Sequence, residues 1–222
     1  MSDTELPAPR LMLILEASTA LKPDAVEARV AAGDVAAIIL ATDENALPEP
    51  AHLRALAAPA QQRDAAVLVT DAEALVEQAG LDGVHVRTAT PAPLKNALSA
   101  LKPASIVGAG GLMERHTTME AGESGADYVL FGALAPTPED AASIRTMIEW
   151  WAELCEVPCV GVATSLDEVE ELALLGADFV ALPATLTEGP EGLARVGEAQ
   201  QRLDLAHAAR VEAFNAALEG RN

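Results

Sequence analysis

A short join between a helix and an apolar strand recurs along the chain, and it limits the possible folds more than any other feature. The join reads Gly-x-Asp followed by apolar residues, and it carries Asp82, Asp127 and Asp178, with a weaker form at Gly33-Asp34. Glycine suits the left-handed residue that ends a helix, and aspartate can bond backbone donors nearby. The strands that follow scarcely alternate in polarity, which is typical of strands buried on both faces of a parallel sheet. The recurrence therefore predicts a repeated β-α unit.

Eight apolar strands, each followed by a helix, can be placed in this way. The strands are predicted at residues 11–16, 35–40, 65–70, 83–86, 105–108, 128–131, 158–163 and 179–182. The helices are predicted at residues 23–32, 50–58, 72–79, 93–101, 113–123, 141–154, 166–175 and 191–218. The count is typical of one α/β domain folded as a (β/α)₈ TIM barrel. The alternative, an open doubly wound sheet, carries a glycine-rich loop after its first strand, where this chain has Glu16-Ala17-Ser18-Thr19.

Composition narrows the possible partners and the location. The chain has 222 residues, 50% of them hydrophobic, and a formal net charge of −20. We expect residues 1–10 to form an N-terminal arm and residues 11–222 to form one barrel domain. Such an acidic protein is not expected to bind nucleic acid or an anionic membrane. There is neither a signal-peptide pattern nor an apolar run of membrane-spanning length. These observations, with Cys155 and Cys159 expected as free thiols rather than a disulfide or metal pair, predict a cytoplasmic protein.

Two charged or polar side chains share one face of the fourth predicted strand. His85 and Arg87 lie two residues apart, so both point to the same side of the strand. If that side is the barrel interior, Arg87 lies at the mouth and His85 one layer below, where active sites of such barrels lie. Arg87 is a candidate to bind a phosphate or carboxylate; the alternative is a structural ion pair with Glu16 or Asp71. His85 is a candidate catalytic residue, the alternative being a hydrogen-bonded interior histidine.

Two acidic residues at strand ends are further candidates. Glu16 lies inside the first predicted strand and is a candidate general base or a partner for Arg87. Asp71 follows the third predicted strand and is a candidate metal ligand, with a helix N-cap as the alternative. Ser165 is predicted to cap the helix after the seventh strand, with Glu168 completing a capping box.

Three loops at strand ends precede helix N-termini, where backbone donors and the helix dipole favour an anion. These candidate phosphate-binding loops are Gly110-Gly111, Thr164-Ser165 and Ala184-Thr185. They predict a small anionic metabolite as the partner. The final helix carries an apolar stripe that packs on the barrel or, alternatively, on a second subunit in a homodimer. The stripe consists of Leu193, Val196, Leu203, Ala208, Val211, Phe214 and Leu218.

Several segments together resemble a known family. They are TDAEALVEQAGLDGVHV at 70–86, GADYVLFGALAPTP at 125–138, VPCVGVA at 157–163 and GADFVALPATL at 176–186. Their order and spacing resemble the thiamine phosphate synthase and thiazole tautomerase family, over roughly residues 65–186. The resemblance implies a (β/α)₈ barrel in thiamine biosynthesis. It implies either a transferase that joins a pyrimidine diphosphate to a thiazole phosphate with Mg²⁺, or a metal-free tautomerase.

The resemblance also implies roles at individual positions. Asp71 stands where the family has an acidic residue after the third strand, and Thr137 where a threonine contacts phosphates. Other family positions differ: the basic cluster after the second strand reads IILATDEN here, the metal-binding GQxD after the fourth reads RTAT, and the tautomerase histidine is Ala133. Phosphoryl chemistry depends on positioning and positive charge, and little of that charge is kept. We therefore expect a protein that binds a phosphorylated heterocycle. One alternative is synthase activity that uses Asp71 and Arg87. The other is an inactive interaction or regulatory protein.

Overall fold

Eight parallel strands close into a barrel, as the repeated β-α unit predicts. The structure is a computed structural model that describes residues 6–43, 45–88, 90–112 and 114–219. Each strand pairs with the next in the sequence, and β8 pairs with β1. The strands are β1 Arg10–Glu16, β2 Val35–Ala41, β3 Ala66–Thr70, β4 Gly83–Val86, β5 Ile106–Ala109, β6 Tyr128–Phe131, β7 Cys159–Val162 and β8 Phe179–Leu182.

Helices follow the strands on the outside of the barrel. They are α1 Pro23–Val30, α2 Pro50–Gln61, α3 Glu73–Ala79, α4 Pro91–Leu101, α5 Arg115–Glu123, α6 Ala141–Leu154, α7 Leu166–Leu174, α8 Ala184–Thr187 and α9 Gly192–Glu219. The predicted helices agree with these to within a few residues, but the four-residue α8 was not predicted. The expected first residue of α5, Met113, lies outside the described residues, as do residues 1–5 of the predicted arm.

The strands are apolar on both faces because each face has its own core. Side chains such as Ile14, Ile39 and Leu68 fill the barrel interior. Their neighbours in the sequence point outward and pack under the helices, where Phe131 and Trp151 are fully buried. This double burial explains why the strands do not alternate in polarity.

The Gly-x-Asp joins have a second function besides ending helices. Gly80, Gly125 and Gly176 have positive φ angles of 66°, 97° and 106°, as expected for the residue that ends a helix. The aspartates, however, do not bond local donors. Asp82, Asp127 and Asp178 accept the backbone N–H at the start of the preceding strand, for example Val67 N to Asp82 Oδ2 at 2.7 Å. Each aspartate thus joins one strand to its neighbour at the amino end of the barrel.

The final helix packs on the barrel mainly through its first half, and Arg210 in the second half donates to the Ala173 carbonyl oxygen. Val196, Ala199, Leu203 and Ala206 are buried, whereas Leu193 and Leu218 are each 47% exposed. The packing predicted for the apolar stripe is therefore confirmed for its inner residues, and a homodimer stays a prediction. Among the described residues, no helix is long and apolar enough to cross a membrane.

Candidate functional site

Arg87 and Asp71 form an ion pair at the carboxyl end of the barrel. Asp71 Oδ1 accepts the backbone N–H of Arg87 at 2.9 Å, and Oδ2 accepts the guanidinium Nε–H at 2.5 Å. Asp71 has a φ of 47°, a left-handed conformation that aspartate tolerates better than most residues. The pairing alternative for Arg87 is thus confirmed, with Asp71 and not Glu16 as the partner. The alternative of Asp71 as an N-cap is wrong, because α3 starts at Glu73 and no side chain caps it.

Below this ion pair, His85 is buried against Tyr128. The His85 Nδ1 atom lies 2.9 Å from the Tyr128 hydroxyl, and the two rings are stacked with their centroids 5.8 Å apart. Burial lowers the pKa of His85 from 6.5 to about 4; the Asp71 carboxylate opposes this shift and the Arg87 guanidinium adds to it. Burial also raises the pKa of Tyr128. Both groups are therefore neutral at neutral pH, and His85 is a hydrogen-bonded interior histidine, as its alternative role predicted.

Gly110 and Gly111 let the chain after β5 approach β4 closely. A Cβ atom on Gly110 would lie 2.6 Å from His85 Nε2, and one on Gly111 would lie 2.5 Å from the Arg87 carbonyl oxygen. Gly111 also has a φ of 68°, which glycine adopts without strain. These contacts explain the glycines by packing; phosphate binding by this loop stays a prediction.

At the end of β7, Glu168 uses the donors predicted to bind an anion. Its Oε2 accepts the Thr164 N–H at 2.8 Å and the Thr164 hydroxyl at 2.5 Å, and its Oε1 accepts from Arg145 Nη1 at 2.8 Å. Ser165 is the N-cap residue of α7 as predicted, but the capping box is wrong, since Glu168 reaches Thr164 and Ser165 makes no side-chain cap bond. Arg145, at the start of α6, is a second guanidinium near the barrel rim that was not predicted from sequence.

Removal of the Glu168 carboxylate should destabilise the protein measurably. We expect Glu168→Ala to lower the free energy of unfolding by about 2 kcal/mol, because two Thr164 donors lose their acceptor in a partly buried setting. The cost stays moderate because Arg145 is 37% exposed and also contacts Glu171. Urea denaturation measures the change. Glu171→Ala, which removes the exposed partner of the same arginine, is the control and should cost less than about 0.5 kcal/mol. Equal stability of the two variants would contradict the role given to Glu168.

The other predicted phosphate contacts are occupied or lie on short elements. The Thr137 N–H and hydroxyl both donate to Asp140 Oδ2, at 2.8 and 3.1 Å. Ala184 and Thr185 begin α8, which follows directly on β8. The roles of these residues in phosphate binding stay predictions.

Glu16 ends β1 and is exposed at the barrel mouth. It lies on the same face of the strand as Met12 and Ile14, which line the barrel interior. Among the described residues, its carboxylate makes no hydrogen bond or ion pair. Its position suits contact with a ligand, and its role as a general base stays a prediction.

Two buried threonines that were not predicted from sequence join the ends of β2 and β3. The Thr42 N–H donates to Thr70 Oγ1 at 2.9 Å, and the two hydroxyl oxygens lie 3.0 Å apart. The bonds fix the backbone just before Asp71 and so help to hold the ion pair in place.

Asp71, the candidate Mg²⁺ ligand, is held by Arg87 in this structure. Both Asp71 oxygens accept hydrogen bonds from Arg87. Within residues 6–219, apart from the three undescribed positions, no three His, Cys, Asp or Glu side chains lie close enough to hold a metal ion. Mg²⁺ is bound by one or two carboxylates with waters and substrate phosphates, so Asp71 could supply the protein ligand by itself, and this role stays a prediction.

A cavity of about 270 Å³ opens beside the end of β6. Its lining comes from the ends of β5 and β6 and from the first turns of α6. The lining residues are Leu112, Phe131, Gly132, Ala133, Asp140, Ser143, Ile144 and Met147. A larger cavity of about 490 Å³ lies on the outer surface between α4 and α5, and it contains none of the candidate residues. The first cavity lies near the carboxyl end of the barrel, although none of the predicted site residues lines it either.

The chain is similar to proteins of one family in sequence and in structure. The family model described as thiamine monophosphate synthase matches residues 11–186. A thiamine-phosphate synthase of Hyphomonas neptunium is 34% identical over 99% of both chains, and one of Rhodospirillum centenum is 37% identical over 72% of this chain and 80% of its own.

Solved structures agree on the fold. Thiamine phosphate pyrophosphorylase from Pyrococcus furiosus superposes with a TM-score of 0.72 at 20% identity, covering 89% of this chain and 96% of that protein. The 3-hexulose-6-phosphate synthase of Salmonella typhimurium superposes with a TM-score of 0.68 at 18% identity, covering 89% and 100%. The fold, the match over residues 11–186 and the full-length relative lead to one conclusion: the chain belongs to the thiamine monophosphate synthase family.

Proposed function

We propose that this protein binds a small phosphorylated heterocycle, of the thiazole phosphate or thiamine phosphate type, at the carboxyl end of its barrel. The observation that carries the proposal is Arg87, held by Asp71 at the end of β4 directly above the interior His85. A paired arginine is already oriented, so less side-chain entropy is lost when it binds a phosphate.

The chemistry of the site supports an anionic ligand with an uncharged ring. A guanidinium carries five N–H donors, and Asp71 takes the Nε–H. An anionic ligand would share the guanidinium with Asp71 or replace one of its present contacts. The neutral His85 and the apolar walls of the cavity beside β6 suit the ring of a heterocycle.

Synthase turnover is the second candidate function, since the relatives in Hyphomonas neptunium and Rhodospirillum centenum are named thiamine-phosphate synthases. Pyrophosphate release places several negative charges at the barrel mouth, where catalysis depends on positive charge. Two guanidiniums near the rim already pair with carboxylates: Arg87 with Asp71, and Arg145 with Glu168 and Glu171. We therefore propose binding with slow turnover, in which Mg²⁺ would be brought by the pyrophosphate of the substrate.

Calorimetry with thiazole phosphate and with thiamine phosphate, each with and without Mg²⁺, tests the proposal. We expect Arg87→Ala to weaken binding about 10- to 100-fold, the value of one hydrogen bond between charged groups. Arg10→Ala is the matched control, because Arg10 forms a similar pair with Asp34 at 2.8 Å at the opposite end of the barrel. It should leave the affinity unchanged.

Two outcomes decide between the functions. The absence of both heat and thermal shift with either ligand would contradict the binding proposal and favour an interaction or regulatory role. Rapid formation of thiamine phosphate from pyrimidine diphosphate and thiazole phosphate would establish the synthase. A cytoplasmic location and a homodimer stay predictions, to be checked by cell fractionation and by light scattering.

A further inference from the structure

Gly108 on β5 and Gly110 just after it create the space for the buried pair of His85 and Tyr128. His85 is level with Gly108, and Gly108 is level with Tyr128, on three neighbouring strands. A Cβ atom on Gly108 would lie 2.0 Å from Tyr128 Cζ. The phenol therefore lies across the glycine and reaches the imidazole on the next strand but one.

The Tyr128 hydroxyl determines which nitrogen of His85 carries the proton. His85 Nδ1 is the hydrogen-bond partner of that hydroxyl among the described residues. If Nδ1 carried the proton and donated it, the buried phenol hydrogen would have no acceptor, at a cost of about 1–3 kcal/mol. If the Tyr128 hydroxyl donates to Nδ1, the hydroxyl hydrogen has an acceptor and Nδ1 has a donor. The proton of the neutral imidazole then lies on Nε2.

The Nε2 atom of His85 points toward the barrel mouth. It lies beside Gly110, which is two residues closer to the mouth than Gly108, at 2.6 Å from where a Cβ would be. No described residue forms a hydrogen bond with it, although His85 is 1% exposed. Since Nδ1 is engaged by the Tyr128 hydroxyl, Nε2 is the ring nitrogen that remains for a ligand.

We propose that Tyr128 is a positioning residue that keeps the proton on His85 Nε2, so that His85 donates a hydrogen bond to an acceptor atom of the bound heterocycle. The donor role rests on the proposed function. A ring nitrogen or an exocyclic oxygen is the acceptor that this geometry fits. In this tautomer Nε2 cannot take a proton from the ligand, so His85 recognises and orients the heterocycle and is not its general base.

NMR of the free protein, with ¹⁵N-labelled histidine, tests the tautomer without any ligand. Long-range ¹H–¹⁵N correlations distinguish Nε2–H from Nδ1–H, and His85→Gln identifies the His85 signals by their loss. We expect Nε2–H in the wild type and a mixture of tautomers in Tyr128→Phe, which keeps the ring but loses the hydroxyl. Nδ1–H in the wild type, or an unchanged tautomer in Tyr128→Phe, would overturn the proposal. If Tyr128→Phe does not fold, the wild-type spectrum alone decides.

Calorimetry with thiazole phosphate and thiamine phosphate tests the donor role. We expect His85→Leu to weaken binding about tenfold, the value of one hydrogen bond. His85→Gln, whose amide can donate from nearly the same place, should recover most of that loss. Equal binding by both variants and the wild type would overturn the donor role. If the wild type binds neither probe, the proposed function fails and the donor role with it, while the NMR result still decides the part played by Tyr128.

Discussion

Gly108→Ala is expected to destabilise the barrel by about 3 kcal/mol or more. The new methyl group would lie 2.0 Å from Tyr128 Cζ and 2.3 Å from its hydroxyl oxygen, far inside van der Waals contact. The ring cannot move aside easily, because it is stacked on His85 and 6% exposed. Urea denaturation followed by the fluorescence of Trp150 and Trp151 measures the loss.

A second glycine provides the control for this prediction. Gly197 lies inside α9, and a Cβ there would meet nothing closer than the Ala32 carbonyl oxygen at 3.8 Å. Gly197→Ala should therefore stabilise the protein by about 0.5–1 kcal/mol, the usual gain in a helix interior.

The clash can also be tested through its partner. In the double variant Gly108→Ala with Tyr128→Ala, the methyl group no longer meets a ring. The two changes should then cost at least about 1 kcal/mol less together than the sum of their separate costs. A Gly108→Ala variant as stable as the wild type would show that the phenol does not lie across Gly108.

The barrel could be predicted from sequence because its signals are local. A glycine that ends a helix, an aspartate two residues later and an apolar run of four lie within a few positions of one another, as at Gly176 to Leu182. The same signals mark where each strand ends. The sequence therefore also predicts that Arg87 lies at the barrel mouth and His85 one layer below it.

The contacts inside the site could not be predicted because they depend on the register between strands. His85 and Tyr128 are 43 positions apart, and their contact requires a glycine on the strand between them. The glycine at Gly108 was the available signal, since an apolar strand seldom leaves an interior position without a side chain. Asp71 was predicted as a metal ligand, as a helix N-cap or as a partner of Arg87, and it takes the last of these roles, because its φ of 47° turns the carboxylate toward β4.

The interpretation of the loop after β7 depends on whether Glu168 contacts Thr164 or the next residue, Ser165. Thr164 and Ser165 are both hydroxyl residues before a helix, and either can precede Glu168 in a cap. The helix geometry places Thr164 within reach of the Glu168 carboxylate. An internal carboxylate thus occupies the two Thr164 donors of the loop that the sequence suggests for a phosphate, which leaves Arg87 as the stronger candidate for the ligand's anion.

The stability of the protein should fall as the pH falls from 6.5 toward 4, because His85 resists protonation in the fold. Its pKa is about 4 when folded and 6.5 otherwise, so between these values the unfolded chain binds the additional proton. We expect the free energy of unfolding to lose about 2.5 kcal/mol between about pH 7.5 and about pH 4.5 through this residue alone.

Other groups titrate over the same pH range, so the prediction concerns the difference in unfolding free energy between the wild type and His85→Gln. The chain is strongly acidic, and its carboxylates also change charge toward pH 4. Subtracting the pH profile of His85→Gln from that of the wild type isolates the histidine, and the difference should shrink as the pH falls. His116→Gln is the matched control, since His116 is 83% exposed and its removal should leave the profile nearly parallel to the wild type. A constant difference between the wild type and His85→Gln would mean that His85 is protonated as readily in the fold as in water, and the burial of a neutral imidazole beside Tyr128 would then be wrong.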